Sequence, residues 1–263
     1  MHGHIDRQTE KMPSIDSEIE DGLLSSIGFM FDDCHSKVTR DFTFGNGLTI
    51  RINLIGQEPG HVQSGQYLWP AAEFACNYIQ ENWQSMSFMK ANTIIELGAG
   101  CGLAGITAAK ITGARNLVLS DYDIGSLKLL RDNFDLNYTN HIDNISFIFE
   151  NVPWGTPIPS SISDMIKLSS KGNSSCMDTT NDLLLLGTDL IYSYDIVEPL
   201  FSTVSQLLRL VAKTSGVMTK GCFMLVSSFD IGEVRKVAFI LNISLFLFCA
   251  FSLDDRKGGY SCT

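Results

Sequence analysis

The sequence lacks several features that would assign it to common classes of protein. It has seven scattered cysteines and no C-x-x-C pair, a pattern that indicates neither a disulfide framework nor a zinc site. Basic residues are also few, since 19 lysines and arginines face 29 acidic residues and leave a formal net charge of −10. A nucleic-acid-binding protein needs a positive surface to neutralise phosphates, so nucleic acid is excluded as a predicted partner.

Metal ligands and targeting segments are scarce as well. Of the five histidines, only His2 and His4 stand close together, in a polar N-terminal stretch, so we predict no metal site. Residues 1–36 are predicted to be an acidic, disordered leader, and residues 1–22 contain no apolar signal segment. With the scattered cysteines, this favours a reducing compartment, the cytoplasm and also the nucleus, and we expect a monomer.

The apolar pattern predicts one α/β domain. Hydrophobic residues make up 44% of the chain, enough for one full core. Two alternating apolar runs around Asn46-Gly47 predict a β-hairpin over residues 38–54, and Pro70 opens a predicted helix. Further along, strands (93–97, 116–120, 144–150, 182–186, 222–228) alternate with helices (103–111, 124–137, 195–212), which predicts a doubly wound, mostly parallel sheet. Residues 156–181, rich in Ser, Pro, Thr and Asn, are predicted to be an inserted loop.

A glycine-rich segment after the first of these strands matches two cofactor patterns. Residues 100–105 read G-C-G-L-A-G, the dinucleotide pattern, whereas residues 96–102 read E-L-G-A-G-C-G, the pattern of S-adenosylmethionine enzymes. Glycines allow a cofactor to approach the backbone in both cases. The strand ends at Leu97, so the turn begins at Gly98, which favours the second pattern. Glu96 is then expected to hold backbone N–H groups or the cofactor's ammonium, or to be an edge-facing charge.

The second strand is followed directly by an acidic residue. Asp121 lies 21 residues after Gly100, a spacing that suits hydrogen bonds to both ribose hydroxyls of either cofactor. Asp123 competes for this role, but it fits better as the N-cap of the following helix. We therefore assign the ribose to Asp121, and the choice of cofactor stays open at this point.

Three further segments carry a family resemblance. Residues 65–72 read G-Q-Y-L-W-P-A-A, residues 151–155 read N-V-P-W-G, and residues 186–192 read L-G-T-D-L-I-Y. With the E-L-G-A-G loop, they occur in the order and spacing of the family 16 protein-lysine methyltransferases, the methyltransferase-like 21 relatives among the seven-stranded S-adenosylmethionine-dependent enzymes. The sequence resembles that family over about residues 42–229.

The resemblance implies a cofactor and the residues that hold it. Gly98, Ala99 and Gly100 would line the methionine and ribose of S-adenosylmethionine, and Trp154 would lie beside the adenine, where aromatic rings stack well. As alternatives to cofactor binding, Trp154 would be an ordinary core residue and Trp69 would anchor the packing of its helix. The complete implied set of cofactor residues is Trp69, Glu96, Gly98, Ala99, Gly100, Asp121, Trp154 and Thr188.

The D-L-I-Y box supplies the predicted catalytic residues. A lysine attacks only as the free amine, and its ordinary pKa is about 10.4. Asp189 is expected to accept a hydrogen bond from the amine and orient it, and Tyr192 to add a wall or a hydrogen bond; alternatively, Asp189 caps the next turn and Tyr192 packs. We predict a protein-lysine N-methyltransferase whose partner is a lysine-bearing protein. The alternatives are a methyltransferase acting on a small molecule or another side chain, an NAD-dependent oxidoreductase, and a truncated isoform that binds cofactor or a partner without turnover.

The C-terminus departs from the resemblance after Phe229. The family requires a further helix and an antiparallel pair of strands, which we predict to be missing or replaced here. The sequence instead continues into an apolar run, residues 237–253, at the lower length limit for a membrane span, and we do not expect it to cross a membrane. The residues Val-Arg-Lys at 234–236 can be encoded by a nucleotide sequence that resembles a splice-donor site. Our hypothesis is therefore a methyltransferase domain over residues 37–233, followed by translated intron over residues 234–263.

Overall fold

A computed structural model describes residues 37–56, 64–85, 91–138, 145–170, 183–214, 221–228 and 249–252. The predicted leader and most of the apolar tail lie outside the described residues. Within them, short 3-10 helices occur at Ser64–Gln66 and Tyr194–Ile196. The strands and helices are β1 (Lys37–Thr43), β2 (Thr49–Ile55), α1 (Pro70–Asn82), β3 (Thr93–Leu97), α2 (Leu103–Thr112), β4 (Asn116–Asp121), α3 (Ile124–Asn137), β5 (Ser146–Asn151), α4 (Ser160–Ser170), β6 (Leu183–Thr188), α5 (Val197–Thr214), β7 (Gly221–Ser227) and β8 (Cys249–Ser252).

The main sheet has the strand order β5-β4-β3-β6-β7-β8, and all of its pairings are parallel. The chain moves outward from β3 to β5 and then returns to add β6 beside β3. The loops after β3 and β6 therefore leave the sheet in opposite directions, which opens a crevice at the carboxyl ends of these two strands. β1 and β2 form the separate antiparallel hairpin predicted from Asn46-Gly47.

Helices cover both faces of the sheet, as a doubly wound fold requires. Successive residues of each strand point to opposite faces, and each central strand is buried on both. Ile94, Leu117, Leu184 and Met224 pack with the hairpin, α1, α2 and α3. Ile95, Val118, Leu185 and Phe223 pack with α4 and α5. The predicted fold class, with its mostly parallel sheet and hairpin, is confirmed.

Two segments differ from the sequence-based expectation. Residues 156–181 were expected to be a loop, but residues 160–170 form α4. Its serine-rich composition conceals the helix, which is held by Ile162 and Ile166, buried one turn apart against α5 and the sheet. The expected seven-stranded sheet has six strands in the described part of the chain, and the sixth, β8, comes from within the apolar tail. None of the helices described is long and apolar enough to cross a membrane.

Two asparagines of α3 attach the hairpin to the domain. Asn133 is fully buried; its Nδ2 donates to the carbonyls of Asn53 and Cys101, and its Oδ1 accepts from Asn53 N, at 2.8–2.9 Å. One turn later, Asn137 makes the matching pair of bonds to Arg51 N and O. These amides continue the hydrogen-bond pattern of β2 in place of a third strand, and Asn133 also fixes the loop after β3 through Cys101.

This difference in burial predicts unequal effects of the two alanine substitutions. Asn133→Ala leaves buried backbone groups unpaired, so we expect it to lower the free energy of unfolding by about 3 kcal/mol. Asn137→Ala frees backbone groups that water reaches, so we expect a loss below about 1 kcal/mol. Urea titration of both variants measures the difference, and equal losses would contradict the role given to Asn133.

Candidate functional site

The candidate site lies at the carboxyl ends of β3 and β6, where the crevice opens. The β3–α2 loop carries the glycines, β4 ends at Asp121, β5 is followed by Trp154, and β6 is followed by the D-L-I-Y box. The segment before α1 also reaches this edge. Five separate segments of the sequence therefore meet at one place, which is where an open parallel sheet binds its ligands.

The glycine loop makes a sharp turn that only glycine accommodates. Gly98 and Gly100 have φ angles of 58° and 54°, in the left-handed region that side chains disfavour. A Cβ at Gly98 would lie 2.7 Å from Leu190 and 3.2 Å from Trp154, and a Cβ at Gly100 would lie 2.6 Å from the carbonyl oxygen of Gly65. The loop is thus held between Trp154 on one side and the segment before α1 on the other.

Asp121 faces the glycine loop with acceptor capacity to spare. Its Oδ2 accepts from Gly100 N at 2.9 Å and its Oδ1 from Asp123 N at 2.9 Å. A carboxylate has about four acceptor sites, so each oxygen has room for one more donor. Burial raises the pKa of Asp121, the charge of Asp123 adds to the rise, and the backbone N–H groups of Asp123, Gly100 and Tyr122 oppose it. This geometry suits two adjacent hydroxyls, while Asp123 caps α3 by accepting from Ser126 N.

Glu96 lies beneath the loop and is only 1% exposed. Its Oε2 accepts from the backbone N–H of Gly105 at 2.9 Å, in the first turn of α2. Burial raises the pKa of Glu96 to about 8, against the effect of the Gly105 hydrogen bond and with the charge of Asp121 adding to the rise. Of the roles expected for Glu96, the structure therefore shows the hydrogen bond to a backbone N–H group.

Asp189 is already engaged by neighbouring segments. It is 7% exposed and has a φ angle of 51°, the only positive φ among the described residues other than glycine. Its Oδ2 accepts from Ala71 N at 3.1 Å, its Oδ1 from Ser228 N at 2.6 Å, and the Ser228 hydroxyl lies within 2.9 Å of both oxygens. The carboxylate therefore joins the start of α1 to the ends of β6 and β7.

The other predicted residues occupy the edge of the crevice. Trp69 immediately precedes α1 and makes an edge-to-face contact with Tyr67. Ala99 is buried and donates its N–H to Ser120 O, and Thr188 is half-buried at the end of β6. Tyr192 is 73% exposed; burial raises its pKa most, followed by the charges of Asp195, Tyr122 and Asp121.

A model of the family described as lysine methyltransferase matches residues 50–220, more than half of the chain. The chain belongs to the lysine methyltransferase family. The matched residues run from β2 through α5 and include every residue assigned to the site from the sequence. The family resemblance read from the sequence motifs is thereby confirmed.

Individual relatives match shorter stretches. A protein N-terminal and lysine N-methyltransferase EFM7 of Gibberella zeae is 33% identical over 95 residues, 36% of this chain and 33% of the relative. One from Cryptococcus neoformans is 28% identical over 158 residues, 60% of this chain and 46% of the relative. The mouse histone-arginine methyltransferase METTL23 is 41% identical over 61 residues, 23% of this chain and 22% of the relative. The chain spans less than half the length of each.

In this lysine methyltransferase family member, the structure adds residues that the sequence did not assign. Gly65 and Gln66 cover the glycine loop, and Cys101 Sγ lies 3.2 Å from Gln66 O. Burial raises the pKa of the Cys101 thiol to about 12, which agrees with a packing role and not with a nucleophile. Ser228 was missed because nothing in its local sequence marks it as the partner of Asp189; Gly65 was visible as the glycine that opens the G-Q-Y-L-W-P-A-A segment.

The raised pKa of Glu96 predicts a pH-dependent stability. An unfolded glutamate loses its proton near the ordinary value of 4.5, whereas folded Glu96 keeps it up to about 8. The folded state therefore binds more protons in this window, and the free energy of unfolding falls as pH rises, by at most about 1.4 kcal/mol per pH unit. Glu96→Gln keeps an oxygen for Gly105 N and removes this slope. Chemical denaturation between pH 5 and 8 measures it; the exposed Glu73→Gln is the control, and an unchanged slope in Glu96→Gln would contradict the assignment.

The contacts of Asp189 predict a graded loss of stability. Asp189→Ala removes every acceptor for Ala71 and Ser228 and places a residue with lower left-handed propensity at the positive φ, so we expect a loss of about 3 kcal/mol. Asp189→Asn keeps one oxygen and tolerates this φ, with an expected loss of about 1–2 kcal/mol. The exposed Tyr192→Ala is the control, with a loss below about 0.5 kcal/mol. Denaturant titration ranks the three, and an Asp189→Ala variant as stable as Tyr192→Ala would contradict this description.

Proposed function

We propose that this chain transfers a methyl group from S-adenosylmethionine to the side-chain amine of a protein lysine. The observation that carries the proposal is the Asp121 carboxylate, which faces the left-handed glycine loop with free acceptor sites in a chain of the lysine methyltransferase family. That combination fits a ribose held beside a narrow backbone turn. Support from the relatives is limited to the matched stretches, so the cofactor is argued from the site and the acceptor from the family model.

The described residues fit the proposed cofactor at several points. Asp121 would bind the two ribose hydroxyls, the backbone of the turn at Gly98 and Gly100 would lie beside the methionine part, and Trp154 would lie along the adenine. The sulfonium of S-adenosylmethionine supplies the electrophilic methyl group. Because this group is already activated, the protein's main task is to place the acceptor in line with it and to keep water away.

The acceptor side is built around the end of β6. The Asp189 carboxylate holds α1, β6 and β7 together, so its contribution to transfer is to fix the position of the D-L-I-Y turn, with its negative charge beside the crevice. Tyr192 extends from that turn with its ring exposed and would line the path of the lysine side chain. The lysine must arrive as the neutral amine. Once its nitrogen has accepted the methyl group, it carries one proton more than a neutral amine, and this proton is lost to solvent.

The names of the relatives differ in the group that is methylated. The fungal proteins are described as N-terminal and lysine methyltransferases, and the mouse protein as a histone-arginine methyltransferase. We propose lysine because the family model that spans most of the described site is the lysine methyltransferase model. A protein α-amine and an arginine side chain are therefore the alternative methyl acceptors that an experiment must distinguish from lysine.

Substitution of Asp121 tests the cofactor. We expect wild-type protein to bind S-adenosylhomocysteine in a calorimeter and not to bind NAD. Asp121→Ala removes two hydrogen bonds to a charged acceptor, which lowers affinity by about 100-fold or more. Asp132→Ala removes an exposed carboxylate from the third turn of α3 and should leave affinity unchanged. Equal affinity in wild type and Asp121→Ala, or binding of NAD alone, would contradict the proposed site.

Transfer of a labelled methyl group tests the acceptor. Wild-type protein is incubated with cell lysate and S-adenosylmethionine labelled on its methyl group, and the labelled proteins are hydrolysed to amino acids. We expect the label in methyllysine, and we expect Asp121→Ala to abolish it. Label in methylarginine or in N-terminal residues would overturn lysine as the acceptor, and label confined to small molecules would overturn the protein substrate.

A further inference from the structure

Exposed apolar side chains are concentrated beside the candidate site. In the part of the chain that the structure describes, six large hydrophobic residues are exposed, and four of them follow β4 or β6: Tyr122, Ile124, Tyr192 and Tyr194, each more than 70% exposed. The remaining two, Leu136 and Phe147, lie on α3 and β5. A soluble domain rarely gathers exposed rings in one place without a binding role.

In the described segments around these side chains, every charged residue is acidic. The described segments at the carboxyl edge, residues 64–69, 98–102, 121–123, 151–159 and 188–199, contain no lysine or arginine. Their acidic residues are Asp121, Asp123, Asp189, Asp195 and Glu198. The described basic residues lie on the hairpin, within or at the ends of helices, or, for Arg115, just before β4 at the opposite edge of the sheet.

One part of this edge is not used by the proposed cofactor. Tyr194 and Asp195 lie on the 3-10 helix after the D-L-I-Y turn, and Glu198 is in the first turn of α5. The Ser193 hydroxyl donates to the Asp195 carboxylate, which fixes that side chain against its own turn. Asp195 follows Tyr192 by three residues, so this turn adjoins the path proposed for the lysine. Tyr194, Asp195 and Glu198 are called the acidic turn below.

We propose that the acidic turn docks a positively charged peptide segment flanking the acceptor lysine. The inference rests on the proposed function, because it assigns the substrate-binding side of the same site. An exposed tyrosine ring attracts a lysine or arginine head through its face, and two carboxylates on adjacent turns add charge complementarity that raises the rate of encounter. The protein substrate is therefore expected to carry further basic residues close to the methylated lysine.

A second copy of this chain does not fit the same surface. Each copy carries a formal net charge of −10, so two acidic turns or two average surfaces would repel each other. An acidic or phosphorylated substrate would meet the same repulsion. Charge complementarity therefore selects a basic segment of another protein as the occupant.

Peptide binding to the S-adenosylhomocysteine-loaded full chain tests the inference. Three fluorescent peptides of equal length carry one central lysine and differ in their flanks, which are arginine, serine or glutamate. We expect the arginine-flanked peptide to bind most tightly, with an affinity that falls as salt is added. Asp195→Lys should weaken its binding on the order of tenfold, and Tyr194→Ala should also weaken it.

Asp132→Lys is the matched control, since it changes the net charge equally at a site on α3 away from the acidic turn. It should leave the preference for arginine flanks intact. Equal weakening by Asp195→Lys and Asp132→Lys, equal binding of the three peptides, or binding of none of them would overturn the inference. Failure of the proposed function is a separate result, because it would show as loss of S-adenosylhomocysteine binding itself or as label in residues other than lysine.

Discussion

The end of β3 imposes the constraint on which the rest of the site depends. The strand stops at Leu97, and the chain must reach the start of α2 through a turn with three left-handed glycines, Gly98, Gly100 and Gly102. The three glycines leave much of this turn as bare backbone, with side chains only at Ala99 and Cys101. Other segments must therefore cover it, and Gly65, Leu190 and Trp154 approach so closely that a Cβ in the loop would collide with them or press against them.

Three carboxylates around this loop are buried to a similar extent but accept hydrogen bonds from different sets of donors. Glu96 accepts one backbone N–H, and burial raises its pKa to about 8. Asp121 receives two and keeps free acceptor sites towards the crevice. Asp189 receives three donors from two segments distant in sequence. A residue's exposure alone would not have separated a packing role, a ligand-binding role and a cross-linking role at this edge.

Much of the fold and part of the site could be predicted because the signals are local. Alternating apolar runs predicted the hairpin, short continuous apolar runs predicted the strands of the main sheet, and the end of β3 at Leu97 favoured the glycine pattern that starts at Gly98. The partners of Asp189 could not be predicted, because Ala71 lies 118 residues away and Ser228 lies 39 residues away. Helix α4 was missed because five of its 11 residues are serine, and only burial of Ile162 and Ile166 against α5 shows why it is helical.

The donors at this edge also bear on the two cofactor patterns that the glycine-rich segment matches. The N-terminus of a helix in a parallel sheet is an anion site, and a dinucleotide places its pyrophosphate there. Here Gly105 N, in the first turn of α2, donates to Glu96, and Gly100 N donates to Asp121. Asp123 likewise occupies the N-terminus of α3. The protein's own carboxylates thus accept hydrogen bonds from backbone N–H groups that a pyrophosphate would otherwise use. Because the described edge segments contain no basic residue, the electrostatic potential at this edge favours a cation. A sulfonium cofactor fits this edge, and an amine-bearing acceptor fits it for the same reason.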